Sequence, residues 1–272
     1  MRKGRSSNDL GRWKATEFRT FFLYTGLIIL KEVLSDEKYQ HFLYFFVAMR
    51  LLLSPSPTSS QMVFANQCLK KYVYEFGVIY GDQHLVFNLH NLIHLTDDCI
   101  FYESSLNDIN AFPFENYLFQ MKNDIQASAK PLAQFCRRQA EKENCENSHS
   151  DDTQIHKVKS ITESLKNDST ADSVIMLPNK TIFKIKSFKE NDDLAVAYAF
   201  NVSRDLDGSK TNFFDVPMPS TDLDIYVCGN LKPQRQFIPR FLIENSTKCI
   251  TFPFLYGTVD RWLVIPLLHA TT

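Results

Sequence analysis

Hydrophobic residues recur at three- and four-residue steps from about residue 10 to residue 142, and at two-residue steps from Val174 onward. The first spacing predicts amphipathic helices, and the second predicts strands that bury one face. Residues 143–173 are polar and charged and almost free of aromatic residues, a composition typical of a flexible linker. We therefore expect an α+β protein: an all-α half at 1–142, a linker at 143–173, and a small all-β sandwich or barrel at 174–272.

Start and stop signals divide the first half into separate helices. Ser35 suits an N-cap, the Pro-rich run "SPSPTSS" should end the helix that follows it, and Gly81 suits a C-cap. The predicted helices are Leu10–Val33, the segment from Ser35 to the "SPSPTSS" run, Gln61–Tyr80, Gln83–Phe101, one with Pro113 at its start, and one beginning at Pro131.

The stretch "VIMLPNKTIFKIKSF" reads as two strands around a Pro-Asn turn. In the second of these strands, Ile182, Lys184 and Lys186 fall on one face and Phe183 and Ile185 on the other. The stretches "DLAVAYAFNV", "DIYVCGN" and "RWLVIPLL" continue the β series.

The overall charge gives no general reason to expect a nucleic-acid partner, because the net charge is −1 and the pI is near 6.7. Basic residues nevertheless gather at the N-terminus, where a short arm could contact DNA phosphates; a solvated terminus explains the same composition. The DNA-contact candidates are Arg2, Lys3, Arg5, Arg12 and Lys14.

Six scattered cysteines without a CxxC pair indicate reduced thiols in a nuclear or cytoplasmic protein. The apolar run "FFLYTGLIIL" is too short to span a bilayer and is followed by Lys31 and Glu32 rather than by a small-residue cleavage site. We expect no secretion and no membrane partner.

Glu115 is the candidate for catalytic chemistry, because it falls in the first turn of the helix predicted from "AFPFENYLFQMK". Polynucleotidyl transfer by two metal ions needs several carboxylates, and one glutamate cannot supply them. The alternative is an acid that the helix dipole favours near a helix start.

His90 and His94 are spaced to lie on one helix face, and a third ligand such as His84 or Glu115 would complete a metal site. The alternative is a pair of hydrogen-bonded core histidines, because Leu89, Leu92, Ile93 and Leu95 surround them. The chain lacks HExxH, GxSxG, GxGxxG and any glycine-rich phosphate loop.

Three stretches of the helical half also carry a likeness to a known family: "GRWKATEFRTFFLYTGLIILKEVLSDEKYQHFLYFFVAMRLLLSP", "FNLHNLIHLTDD" and "AFPFENYLFQMK". They resemble the C-terminal portion of CACTA-like cut-and-paste transposases and their relatives in animal genomes. The tail that closes in "RWLVIPLLH" resembles the segment that often follows.

This resemblance implies an RNase H-like catalytic core with an Asp-Asp-Glu triad, a helical insertion and Mg²⁺ as the cofactor. Glu115 would match the third carboxylate, with His90 and His94 as accessory residues. The two aspartates would lie on upstream strands, and neither Asp9 nor Asp36 matches them. We therefore expect a partial core that is inactive alone and binds no cofactor by itself.

Three hypotheses follow from the resemblance. The chain is a transposase-derived remnant that at most associates with DNA or protein; or it is the C-terminal part of an active Mg²⁺-dependent transposase; or it is a host-adopted interaction module whose β domain binds a partner. DNA, a fuller transposase chain or a second copy of this chain are the partners that these hypotheses imply.

Overall fold

The structure is a computed structural model that describes residues 5–148, 173–188, 193–202, 217–256 and 259–268. The fold is α+β, with helices up to Ser148 followed by a closed, six-stranded antiparallel barrel. This order confirms the predicted helical half and β domain, and the β domain is a barrel rather than a sandwich. The chain forms two compact units, one of Met1–Asn107 with Ser160–Thr271 and one centred on Asp108–Lys159.

The first predicted helix is interrupted. The first described element is a 3-10 helix, Ser7–Arg12, and Trp13 is extended, so α1 begins only at Ala15 and runs to Thr20. A π-helical turn, Phe21–Thr25, then leads into α2, Gly26–Val33.

The two long helices match their predicted positions. Helix α3 spans Asp36–Leu52 with Ser35 as the N-cap residue, and α4 spans Ser59–Tyr80. Thr58 and Gln61 form a capping box at the start of α4, and Gly81 ends it with φ of 99°, a conformation that glycine adopts without strain.

Aromatic rings hold α3 and α4 together. The ring of His41 stacks on Tyr72 with centroids 4.3 Å apart, and Phe45 stacks on the same tyrosine at 4.8 Å. Phe46 is fully buried nearby, so this seam is the core of the helical half.

The predicted helix at Gln83–Phe101 is instead a chain of short pieces. They are a 3-10 turn at Asp82–His84, α5 at Phe87–His90, a second 3-10 turn at Asn91–His94, and α6 at Leu95–Phe101.

The second compact unit contains α7, Phe112–Asp124, and α8, Pro131–Ser148. The Gln134 side chain donates to the carbonyls of Ala127 and Ala129 and thereby holds the turn between the helices. Asp124 accepts hydrogen bonds from Gln139 and Lys142, so polar contacts carry much of this helix pairing.

The barrel has the strand order β1-β2-β3-β4-β6-β5, and β5 pairs with β1 to close it. A short helix, α9 at Arg240–Glu244, connects β4 to β5. The strands are β1 Val174–Met176, β2 Ile182–Phe188, β3 Leu194–Val202, β4 Tyr226–Pro239, β5 Thr247–Tyr256 and β6 Val259–Pro266.

Both faces of the sheet are buried where the strands are shortest. Ile175 belongs to one apolar cluster with Ile185 and Ala197, whereas its neighbours Val174 and Met176 belong to another. A barrel whose strands bury both faces needs a cover on its second face.

Polar contacts join the first helices to the segments that precede β4 and follow β6, within the first compact unit. The Nη2 atom of Arg50, on α3, donates to the carbonyl of Leu223 at 3.2 Å, and the hydroxyl of Tyr24 accepts from the amide of Leu268 at 3.2 Å. Arg50 is only 2% exposed, and burial lowers the pKa of its guanidinium to about 10. Among the described residues its Nε and Nη1 atoms have no hydrogen-bond partner.

The helices up to Asn107 therefore share a compact unit with the barrel, whereas the sequence analysis assigned them to a helical domain that extends to residue 142. Most of the predicted linker, from 149 to 172, lies outside the described residues, while 143–148 are the end of α8. The predicted domain boundaries stay a prediction. None of the described helices is both long and apolar enough to cross a membrane.

Candidate functional site

Glu115 lies in the first turn of α7, where its amide donates to the carbonyl of Ala111 at 3.1 Å. Its side chain is exposed, as are those of Phe114 and Tyr117. In the described part of the chain, no three His, Cys, Asp or Glu side chains are arranged to hold a metal ion. The position suits an acid at a helix start, and the catalytic role of Glu115 stays a prediction.

His90 and His94 do lie close together, with ring centroids 5.4 Å apart, and the Nδ1 atom of His94 is 3.8 Å from the carboxylate of Asp97. Both rings are exposed. The interpretation as buried core histidines is therefore wrong for this pair, because the segment breaks into short turns instead of presenting one buried helix face. Their accessory role stays a prediction.

The buried histidine of the helical half is His41, which the sequence did not single out. Its Nε2 atom lies 2.8 Å from the carbonyl oxygen of Tyr72. A carbonyl oxygen only accepts, so Nε2 carries the proton in the neutral ring. Burial lowers the pKa of His41, and this residue serves the packing of α3 on α4.

The N-terminal cations are partly engaged by the chain itself. The Arg5 guanidinium donates to the carbonyl of Arg12 and lies 3.8 Å from the carboxylate of Glu17. Glu17 also accepts from the backbone amides of Lys14 and Arg5, and these two bonds lower its pKa. The side chains of Arg12 and Lys14 are exposed, and their DNA contacts stay a prediction. Arg2 and Lys3 lie outside the described residues.

A row of basic and aromatic side chains crosses three strands of the barrel. Lys184 on β2 pairs with Tyr198 on β3, and Tyr198 pairs with Arg235 on β4. Directly paired residues of antiparallel strands point to the same face, with Cβ atoms about 4.5–5.5 Å apart. Phe237 lies two residues beyond Arg235, opposite Val196, and therefore on that face as well.

This set of four residues, Lys184, Tyr198, Arg235 and Phe237, is here called the basic–aromatic face. Arg235 is exposed and Phe237 is 52% exposed, while Lys184 and Tyr198 are half-buried. The two cations have no ion pair among the described residues, and no acidic residue occupies a paired position of the row. Lys186, at the bulge of β2 and two residues after Lys184, adds a third cation beside the face, and its side chain is exposed.

The sequence revealed only part of this face. It placed Lys184 and Lys186 on one side of a strand, but it ended the fourth strand near Asn230 and so missed Arg235 and Phe237. The signal was present in the alternation of "QRQFIP", although Pro233 just before it argued against a continuous strand.

Residues 141–267 match the model of a family described as a domain of unknown function, DUF8592. The match covers less than half of the chain and includes all six strands of the barrel. No curated protein and no solved structure matches the chain significantly.

Proposed function

We propose that this chain is a non-catalytic association module that binds single-stranded nucleic acid through the basic–aromatic face of its barrel. The observation that carries the proposal is the register that aligns Lys184, Tyr198 and Arg235 across three strands, with Phe237 beside them. DNA is also the partner that the resemblance to CACTA-like transposases implies.

The chemistry of this face suits a single strand. Unpaired lysine and arginine side chains attract phosphates and release the counterions that surround them. Aromatic side chains stack on unpaired bases with little sequence preference, a contact worth about 1–3 kcal/mol per base. Phe237 is 52% exposed, and Arg235 lies two residues away on the same strand.

The test is fluorescence anisotropy with a labelled oligo-dT of about 20 nucleotides, titrated with the full chain. We expect Phe237→Ala to weaken binding by about 1–3 kcal/mol. The matched control is Phe101→Ala, which removes an equally large exposed ring from α6, outside the barrel. Equal affinity of the wild type and the Phe237→Ala variant would contradict the proposal.

The finer expectations from the resemblance stay proposals: a transposase origin, a partial RNase H-like core in the helical half, and Glu115 as a third carboxylate that holds Mg²⁺. Because one glutamate cannot hold the pair of metal ions by itself, the isolated chain should neither cut nor join DNA when Mg²⁺ is added. DNA cleavage that disappears in Glu115→Ala would instead favour the C-terminal part of an active transposase.

A further inference from the structure

Helix α4 carries an exposed stripe on the side turned away from α3. The stripe contains Val63, Gln67, Lys70, Tyr74 and Val78, all exposed. At 100° per residue these five positions fall within about 80° of arc, and they span about 22 Å along the helix axis. Three of the four buried positions of α4, Ala65, Cys68 and Leu69, lie on the opposite side, and the fourth, Gly77, lies beside the stripe.

The C-terminal end of the stripe borders an apolar groove of about 560 Å³. Tyr74 and Val78 form one wall, and the segment Leu85–Phe87, which precedes and begins α5, forms the other. Gly77 allows the two walls to meet, because a Cβ atom at this position would lie 2.6 Å from the Asp82 carboxylate and 3.0 Å from Leu85.

The apolar and aromatic side chains around this groove are highly exposed to solvent. Tyr74 is 78% exposed, Val78 77% and Phe87 76%. Exposed apolar side chains gathered around one groove mark interaction sites, whereas single exposed apolar residues are ordinary. A stripe with three- and four-residue steps beside a groove is the surface on which an amphipathic helix packs.

The charges on α4 indicate which helix fits. Lys71 is already compensated, because its Nζ atom donates to the hydroxyl of Tyr44 at 2.6 Å and lies 3.6 Å from Glu75. Lys70, at the middle of the stripe, has no hydrogen bond or ion pair among the described residues. A ligand that covers the stripe must either supply a negative charge there or desolvate an unpaired ammonium group, which is costly.

We infer that α4 and the groove bind an amphipathic helix of another protein that carries apolar residues at three- and four-residue steps and a carboxylate facing Lys70. This surface is separate from the barrel face and does not depend on nucleic-acid binding. A second copy of this chain fits poorly on this surface. If two α4 stripes overlap fully, Lys70 of one copy faces Lys70 of the other. This holds for parallel helices and for antiparallel helices related about the midpoint between Val63 and Val78. Like charges opposed in this way destabilise a helix pair.

The test is selection of peptides on the immobilised full chain from a displayed helical library, with apolar residues fixed at heptad spacing and the positions between them randomised. We expect the selected peptides to be enriched in Asp or Glu at one central position. Selection on the Lys70→Glu variant should instead enrich Lys or Arg at the same position. The control is selection on Lys186→Glu, a charge reversal on the barrel, which should leave the preference for acid unchanged.

Affinities of one selected peptide then locate the site. Tyr74→Ala and Val78→Ala should each weaken binding at least tenfold, whereas Val33→Ala, an exposed valine on α2, should not change it. All these side chains are exposed, so the fold should survive, and circular dichroism checks this. The inference is overturned if no peptide is selected, if no acid is enriched, if Tyr74→Ala and Val78→Ala bind normally, or if light scattering shows a dimer that Val78→Asp dissociates.

Discussion

The salt dependence of binding to single-stranded DNA gives the sharpest prediction for the barrel. Binding to single strands weakens with salt by a slope of about −0.7 in log K against log salt for each phosphate neutralised. Three cations, Lys184, Lys186 and Arg235, belong to or adjoin the basic–aromatic face. The slope should therefore be about −2.1, which corresponds to an affinity about 18-fold lower at about 200 mM salt than at about 50 mM.

Removing one of these charges should change the slope and not only the affinity. For Arg235→Gln we expect a slope of about −1.4, so that the same change of salt lowers affinity only about sevenfold. Arg235→Lys keeps the charge but loses the planar guanidinium, and it should retain the wild-type slope. The difference between these two variants separates phosphate neutralisation from the particular geometry of arginine.

The measurement is fluorescence anisotropy of labelled oligo-dT at four or more salt concentrations, with Lys70→Gln as a control for a cation outside the barrel. The control should keep the wild-type slope, because Lys70 lies on α4. If Arg235→Gln binds with an unchanged slope, phosphates are contacted elsewhere, and the barrel face is not the binding site.

Four further expectations concern the fold. Arg50→Met should leave the free energy of unfolding, measured by urea titration, unchanged or raise it by about 1–4 kcal/mol. The reason is that the substitution removes a buried guanidinium whose Nε and Nη1 atoms have no hydrogen-bond partner among the described residues. A marked loss of stability would contradict this. Tyr24→Phe should lower it by about 1 kcal/mol, because the Leu268 amide loses its acceptor. Burial lowers the folded-state pKa of His41, so its contribution to stability is fully present above the unfolded-state pKa of about 6.5 and is lost as the pH falls through the folded-state pKa. As the pH falls over this range, the urea midpoint should decrease less for His41→Gln than for the wild type. Parallel curves for the two proteins would refute this expectation. Limited proteolysis is expected to cut first between 143 and 173, and the helical and β fragments should then remain associated in gel filtration; separation of the fragments would count against the helix–barrel contacts.

The spacing of hydrophobic residues predicted the helices that have clear start and stop signals in the sequence. It failed where tertiary contacts determine whether a helix is continuous. Helix α4 was predicted almost completely because a Pro-rich run precedes it and Gly81 ends it. The segment Gln83–Phe101 has the same helical spacing but forms two short helices and two 3-10 turns, in which α5 is only four residues long. Spacing alone does not report such breaks, because each short piece still satisfies the three- and four-residue steps.

The candidate surfaces were less visible in the sequence for a similar reason. Arg235 and Lys184 are 51 positions apart and become neighbours only through Tyr198, by a register that no local pattern specifies. Tyr74 and Val78 were predicted as part of a helix, but its spacing did not show that they stay exposed. Which apolar residues of an aromatic-rich helix stay exposed depends on what packs against it, and that information lies outside the helix.

The contacts of Arg50 and Tyr24 bear on how the family match should be interpreted. The matched residues, 141–267, contain the whole barrel, yet the compact unit to which the barrel belongs also includes the helices up to Asn107. A barrel expressed alone would expose the carbonyl of Leu223 and the amide of Leu268, which Arg50 and Tyr24 contact in the full chain. We therefore expect the matched segment to need residues 5–107 for stability, and studies of its binding should use the full chain.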